Sequence, residues 1–273
     1  LTIYSFREIN SWKRCIPKSS RIYQKMAMRL DQYIVKHHDF TRNKAQQLIL
    51  SDLILVNGKT CKKPSQPIWE GDIVIVLEDR RVHWVSRSAE KLEGFLESLS
   101  IPFDLKSTHC LDVGSSTGGF TQVLLGQWAE HVDAVDVGRD QLHDIIRSDS
   151  RVSSYEQTDI RDFAKTHSEN RYDYIVCDAS FISLSDIIDP ILSLANIDTK
   201  IILLYKPQFE VGRENLRHTG IPKDLKIVEQ KMKLFETLLI DKDIQILIQQ
   251  KSTLMGEAGN QEWIYMIQKN PQK

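Results

Sequence analysis

The sequence lacks any long hydrophobic run. Its longest, such as residues 201–205 and 73–77, are strand-length, far below the roughly 18 to 20 residues that a membrane-spanning helix needs. Cysteine is scarce. The four present, Cys15, Cys61, Cys110 and Cys177, show no Cys-x-x-Cys spacing and no neighbouring paired histidines, which argues against a disulfide framework and a zinc site and fits reduced cytosolic thiols. Neither sign of charge dominates: 36 Lys and Arg face 37 Asp and Glu, for a net charge of −1. No global field therefore points to a polyanion, and any nucleic-acid site must be a local patch. An initiator Met is missing as well. The chain begins at Leu1 with Arg7, Lys13, Arg14, Lys18, Arg21 and Lys25 against the single acid Glu8, but without the apolar core of a signal peptide. Residues 1–27 are expected to be a disordered or untranslated leader, with Met26 or Met28 as the start.

What is present is a 273-residue chain, 41% apolar and 27% charged, enough for one sizeable core plus a small accessory domain. Its most informative stretch is residues 111–120, Leu-Asp-Val-Gly-Ser-Ser-Thr-Gly-Gly-Phe. Cys110, Leu111 and Val113 supply strand character, Gly114 can take a positive φ, and Gly118 with Gly119 should let backbone approach a ligand where a β-carbon would clash. The spacing is not Gly-x-Gly-x-x-Gly, and no Gly-Lys-Ser/Thr follows the turn, so neither a pyrophosphate nor a triphosphate is the natural guest. Asp136 ends the next apolar strand, where an acidic residue can hydrogen-bond a ribose diol.

Residues 28–79 read as a small α+β domain. Leu30, Tyr33 and Ile34 fall at helical spacing, and Thr41 is placed to cap a second helix with apolar face Ala45, Leu48 and Ile49. After a strand at 53–56, Asn57-Gly58 is the strongest two-residue hairpin signal. Pro64, Pro67 and Gly71-Asp72 then lead to a strand at 73–77. Arg29, Arg42, Lys44, Lys59, Lys62 and Lys63 are expected to line one face, with Asp31, Asp52, Glu70 and Asp72 elsewhere, giving a patch for RNA phosphates.

Residues 80–85, which include Trp84, read as a linker. From 86 to 273 helix and strand signals alternate, with a helix around Leu92, Phe95, Leu96 and Leu99 and strands at 109–113, 132–137, 174–178, 201–205, 244–248 and 263–267. That alternation predicts a largely parallel sheet covered on both faces, with ligands at the carboxyl ends of its strands. Asp178 and Lys206 fall at two such ends.

The turn at 111–120 resembles the S-adenosylmethionine-binding turn of Rossmann-like methyltransferases. The first domain, through Met28-Arg29-Leu30-Asp31, residues 41–45, Val56-Asn57-Gly58-Lys59 and Lys63-Pro64-Ser65, resembles the alpha-L RNA-binding motif named after ribosomal protein S-four. Ser86-Arg87 with Lys91, the glycine turn, Asp136-Val137-Gly138, residues 178–184, Lys206-Pro207-Gln208-Phe209-Glu210 and residues 256–262 are, in this order, similar to the TlyA family of ribosomal RNA methyltransferases, also carried under the name hemolysin. Two stretches depart from that pattern: Ser86-Arg87-Ser88-Ala89-Glu90 in place of Ser-Arg-Gly-Gly, and a less glycine-rich loop at 217–224. Both lie on the substrate side.

The resemblance implies an α/β fold: a Rossmann-like, FtsJ-type methyltransferase domain behind a small RNA-binding domain. It implies S-adenosyl-L-methionine as cofactor, held by Asp112, Gly114, Ser115, Gly118, Gly119, Phe120, Asp136, Val137, Asp159 (near the adenine) and Asp178. It also implies a Lys-Asp-Lys-Glu tetrad falling on Lys91, Asp178, Lys206 and Glu262, with Lys206 as base, Lys91 and Asp178 positioning a ribose 2′-hydroxyl and Glu262 orienting a lysine. A lysine is a base only when neutral. Crowding by Lys91 and burial favour that state, whereas Asp178 and Glu262 oppose it. No metal is required, because a sulfonium methyl is already activated. The expected protein is a cytoplasmic enzyme that methylates ribose, at a cytidine by family membership, in ribosomal RNA or ribosomal subunits. The alternatives are a membrane-active hemolysin and a catalytically silent RNA-binding ribosome-assembly factor.

Overall fold

A computed structural model describes residues 27–38, 40–99, 105–169, 172–256 and 258–271, without the side chains of Arg80 and Arg81. Cys15 and the expected leader, apart from Ala27, lie outside these residues. The chain divides into two compact units, 1–78 and 79–273.

In the first unit, β1 (Met28–Arg29) leads into α1 (Leu30–His37) and α2 (Arg42–Leu50), followed by β2 (Ile54–Val56), β3 (Lys59–Thr60), β4 (Pro67–Ile68) and β5 (Val74–Val76). Thr41 caps α2 by accepting from the Lys44 amide at 3.2 Å. Asn57 and Gly58 both take positive φ, 51° and 77°, the backbone twist a two-residue hairpin requires, and β2 pairs antiparallel with β3 around them. Leu30, Ile34, Ala45, Leu48, Ile49 and Ile54 are fully buried and form the core between helices and sheet.

The second unit runs α3 (Ser88–Ser98), β6 (His109–Val113), α4 (Gly119–Gly126), β7 (His131–Val135), α5 (Asp144–Arg147), β8 (Val152–Tyr155), α6 (Ile160–Thr166), β9 (Tyr172–Cys177), α7 (Leu184–Ser193), β10 (Ala195–Tyr205), α8 (Pro207–Glu210), α9 (Leu225–Asp241), β11 (Ile244–Lys251) and β12 (Trp263–Lys269). Among the described residues the sheet has seven strands in the order β11-β12-β10-β9-β6-β7-β8. The five from β10 to β8 are parallel, whereas β12 runs antiparallel to both β10 and β11. Side chains alternate across this sheet as strand geometry demands. Leu111, Ile175, Ile201, Leu203 and Tyr265 join Phe163, Ile187 and Phe235 on one face. Cys110, Val176, Ile202, Leu204 and Ile264 join Leu92, Phe95 and Val123 on the other. The unbroken apolar run of β10 is thus explained by burial on both sides.

Two features depart from the sequence expectations. β8 was unexpected: its Ser153 and Ser154 dilute the apolar signal, as an edge strand tolerates. The β11–β12 hairpin is antiparallel because residues 252–262 are too few for a crossover helix.

Candidate active site

Strand direction assembles the site. β6, β7, β9 and β10 end at Val113, Val135, Cys177 and Tyr205, and the next residues, Gly114, Asp136, Asp178 and Lys206, therefore emerge along one edge of the sheet. Trp263, the first residue of antiparallel β12, pairs with Tyr205. Glu262, just before it, is thereby brought to the same edge from the far end of the sequence.

The glycine turn is shaped by the protein's own close approaches. Gly114 has φ 78°, and a β-carbon there would lie 2.9 Å from Ala179 Cα and 3.0 Å from Ala179 N. The chain leaving β9 crosses directly over the turn, which sets Asp178 beside it. Gly118 also takes positive φ, with Leu142 and Ile146 against it. A β-carbon on Gly119 would overlap the hydroxyls of Ser86 and Ser88, so Gly119 lets the start of α4 pack on the start of α3. The space at Gly118 and Gly119 admits protein groups that build the site: the Leu142 and Ile146 side chains at the one, Ser86, Ser88 and the Ala89 backbone at the other.

The tetrad residues form two ion pairs. Lys91 Nζ donates to Glu262 Oε2 at 2.6 Å, with side chains 11% and 2% exposed. Glu262 Oε1 accepts from Gln208 Nε2 at 3.3 Å, and Gly256 leaves room for it, since a β-carbon there would be 2.6 Å away. Lys206 Nζ lies 2.7 Å from Asp178 Oδ1, 2.7 Å from Ser180 Oγ and 3.1 Å from the Asp178 carbonyl oxygen.

Around the turn, Asp136 accepts from the Ser116 amide at 2.8 Å and the Gly138 amide at 2.6 Å. Each carboxylate oxygen keeps a further lone pair for a ribose hydroxyl. Val137 beside it is 70% exposed, an apolar surface suited to a purine face. Asp112 is fully buried; Thr121 Oγ1 donates to its Oδ2 at 2.6 Å, while Oδ1 has no hydrogen-bond partner among the described residues. Burial pushes its pKa up to about 7, helped by the negative charges of Asp178 and Asp136. Ser115 and Phe120 are buried in the turn. Asp159 caps α6 through the Arg161 amide and is ion-paired to Arg161 at 2.5 Å, which holds its pKa below the usual carboxylate value.

Three residues of the motifs had been given no role. Ser180 touches Lys206. Phe181, 91% exposed and at φ 65°, has its ring 5.2 Å from that of Phe209. Glu210 accepts from Ser183 Oγ at 2.5 Å and from the Leu184 amide at 2.8 Å, tying the loop after Asp178 to α8; burial raises its pKa. The signal for all three was their place inside the Asp178 and Lys206 motifs.

In the first unit the expected separation of charges is corrected. Asp31 lies fully buried among the cations, bonded by Arg29 at 2.9 Å, Arg42 at 3.3 Å and Gln46 at 2.9 Å, and Arg29 is the first cause of its strongly lowered pKa. Lys62 pairs with Asp52 at 2.7 Å. Lys59 and Lys63 are exposed, and Lys44 is half-buried. Among the described residues no group of His, Cys, Asp and Glu is placed to hold a metal, and no helix is long and apolar enough to cross a membrane.

Comparison with known proteins matches residues 84–269 to the FtsJ-like methyltransferase family and residues 28–74 to the S4 domain. The chain is 38% identical over 260 residues to the 23S rRNA (cytidine-2′-O)-methyltransferase TlyA of Campylobacter jejuni, covering 89% of this chain and all of the relative. It is 34% identical to the 16S/23S rRNA (cytidine-2′-O)-methyltransferase TlyA of Mycobacterium tuberculosis, covering 83% and 84%. Hemolysin A of Brachyspira hyodysenteriae is also 34% identical, covering 87% and 98%.

Proposed function

Because the chain belongs to the FtsJ-like methyltransferase family, with the S4 domain and the sequence kinship of its TlyA members, we propose that it methylates the 2′-oxygen of a ribose, at a cytidine, in cytoplasmic ribosomal RNA, with S-adenosylmethionine as donor. The observation that carries this reading is the crossing of the β9 exit over the glycine turn at Gly114 and Ala179, which puts the Asp178–Lys206 pair beside the turn that would hold the donor.

The residues present fit that cofactor. Asp136 offers acceptors for the ribose diol, exposed Val137 a face for the adenine, and the unpartnered Asp112 Oδ1 an acceptor at the turn itself. When bound, the cofactor supplies a methyl on a positive sulfur, so no metal is needed to activate it. The protein's work is to align the acceptor oxygen and take its proton. Lys206 is the base, and Asp178 holds it. Glu262 fixes Lys91, whose ammonium positions the hydroxyl. Alignment and base assistance are each worth large factors, about 10² to 10⁴ for the base. Phe181, exposed next to these groups, offers its ring to stack the nucleobase. On the first unit, Lys59 and Lys63 present charge to phosphates, which positions RNA without specifying sequence.

The experiment is transfer of labelled methyl from the cofactor to unmodified ribosomal RNA or subunits, with 2′-O-methyl sites mapped in cells with and without the gene. One mapped site lost with the gene is expected, together with a Lys206→Ala variant slowed by about 10² or more. Absence of transfer to every RNA offered overturns the proposal.

A further inference from the structure

The surroundings of Lys206 determine where its basic lone pair points. Besides Cε, an amine nitrogen has three tetrahedral positions; here hydrogen bonds run to the Asp178 carbonyl oxygen and to Ser180 Oγ, while Asp178 Oδ1 lies 2.7 Å away as an ion pair outside hydrogen-bond geometry. An ammonium makes both hydrogen bonds as donor, beside the carboxylate. A neutral lysine, the form that acts as base, turns one of the three positions into a lone pair. Aimed at the carboxylate or the carbonyl, that lone pair would meet another lone pair. Of the three partners only the Ser180 hydroxyl has a proton to offer. Exposure completes the argument: the Lys206 side chain is 9% exposed, whereas Ser180 is exposed. The group that meets an incoming hydroxyl is the serine.

We infer that Ser180 is a catalytic residue that relays the proton from the acceptor hydroxyl to Lys206, an inference that rests on the methyl-transfer reading above. As the 2′-oxygen forms its bond to the methyl carbon, the carbon–sulfur bond breaks and its electron pair stays on sulfur. The 2′-hydroxyl proton passes to Ser180 Oγ while the serine's own proton passes to the Lys206 lone pair. The products are a methyl ether, a thioether, an intact serine and an ammonium on Lys206, which returns its proton to solvent before the next cycle.

The test compares Ser180→Val with Ser180→Thr, nearly identical in shape but differing in the hydroxyl. Ser180→Val is expected to lower kcat by about 10² or more, with KM for RNA and calorimetric affinity for S-adenosylmethionine unchanged. That deficit persists at pH values where Lys206 is neutral. Ser180→Thr restores kcat to within about tenfold of wild type, a modest fraction of the expected loss. Full kcat in Ser180→Val, equal damage in both variants, lost cofactor affinity, or a deficit that vanishes at high pH overturns the relay. Absence of methyl transfer by the wild-type protein instead overturns the parent reading and the relay with it.

Discussion

Removing the charge from Glu262 tests the energetics of the tetrad most directly. Glu262→Gln keeps the shape and leaves the amide able to face Lys91 and Gln208. It removes the anion 2.6 Å from an ammonium whose side chain is 11% exposed. Taking one partner from a buried pair costs about 3–5 kcal/mol, because the other is left as an uncompensated buried charge. For a unit of this size about 1 kcal/mol moves the melting temperature by about 2–4 °C, so the expected fall is about 6–20 °C. Distance alone would not give this figure. Lys165 and Asp162 lie 2.8 Å apart but are 74% and 73% exposed, and Asp162→Asn should cost less than about 1 kcal/mol. The assay is thermal unfolding of both variants, of Lys91→Met, and of Lys91→Met/Glu262→Gln, alongside methyl transfer. The double variant, having no unpaired charge, should be more stable than Glu262→Gln, yet inactive because the hydroxyl is no longer positioned. A Glu262→Gln melting temperature within about 1 °C of wild type, or strictly additive losses in the cycle, would refute the reasoning.

Asp112 gives a pH prediction. With its folded-state pKa raised from 3.8 to about 7, the folded protein holds a proton that the unfolded chain releases. Its stabilising effect is complete below about pH 4 and is lost as pH rises through about 7, a change on the order of 4 kcal/mol. Asp112→Asn should flatten that slope in denaturant unfolding of the cofactor-free protein; an unchanged slope counts against the buried acid. Gly119→Ala should destabilise by about 1–3 kcal/mol through overlap with Ser86 and Ser88, with partial recovery when both serines become alanine. Lack of any loss in its melting temperature would contradict the close packing of α3 on α4.

The edge residues were legible because they follow apolar runs: Asp136, Asp178 and Lys206 each end a strand that the pattern marks, and parallel strands end together. The Asn57-Gly58 hairpin and the Thr41 cap were legible for a similar local reason, since each depends on a few consecutive residues. Strand β8 was hidden by its serines. The antiparallel sense of β12 is not written in any periodicity, although the short segment before it bounded the answer.

The sequence by itself determined the alternation of strands and helices, the turn, and the residue types that chemistry at a strand end can use, because these depend on neighbours along the chain. Only the tertiary structure decided that Lys91 meets Glu262 across 171 residues and that Gly114 and Gly119 make room for protein. It alone put Asp31 between Arg29 and Arg42 and Ser180 within hydrogen-bond reach of Lys206. Charges and hydroxyls act through space within about 3 Å, and spacing along a chain does not fix which distant elements come that close.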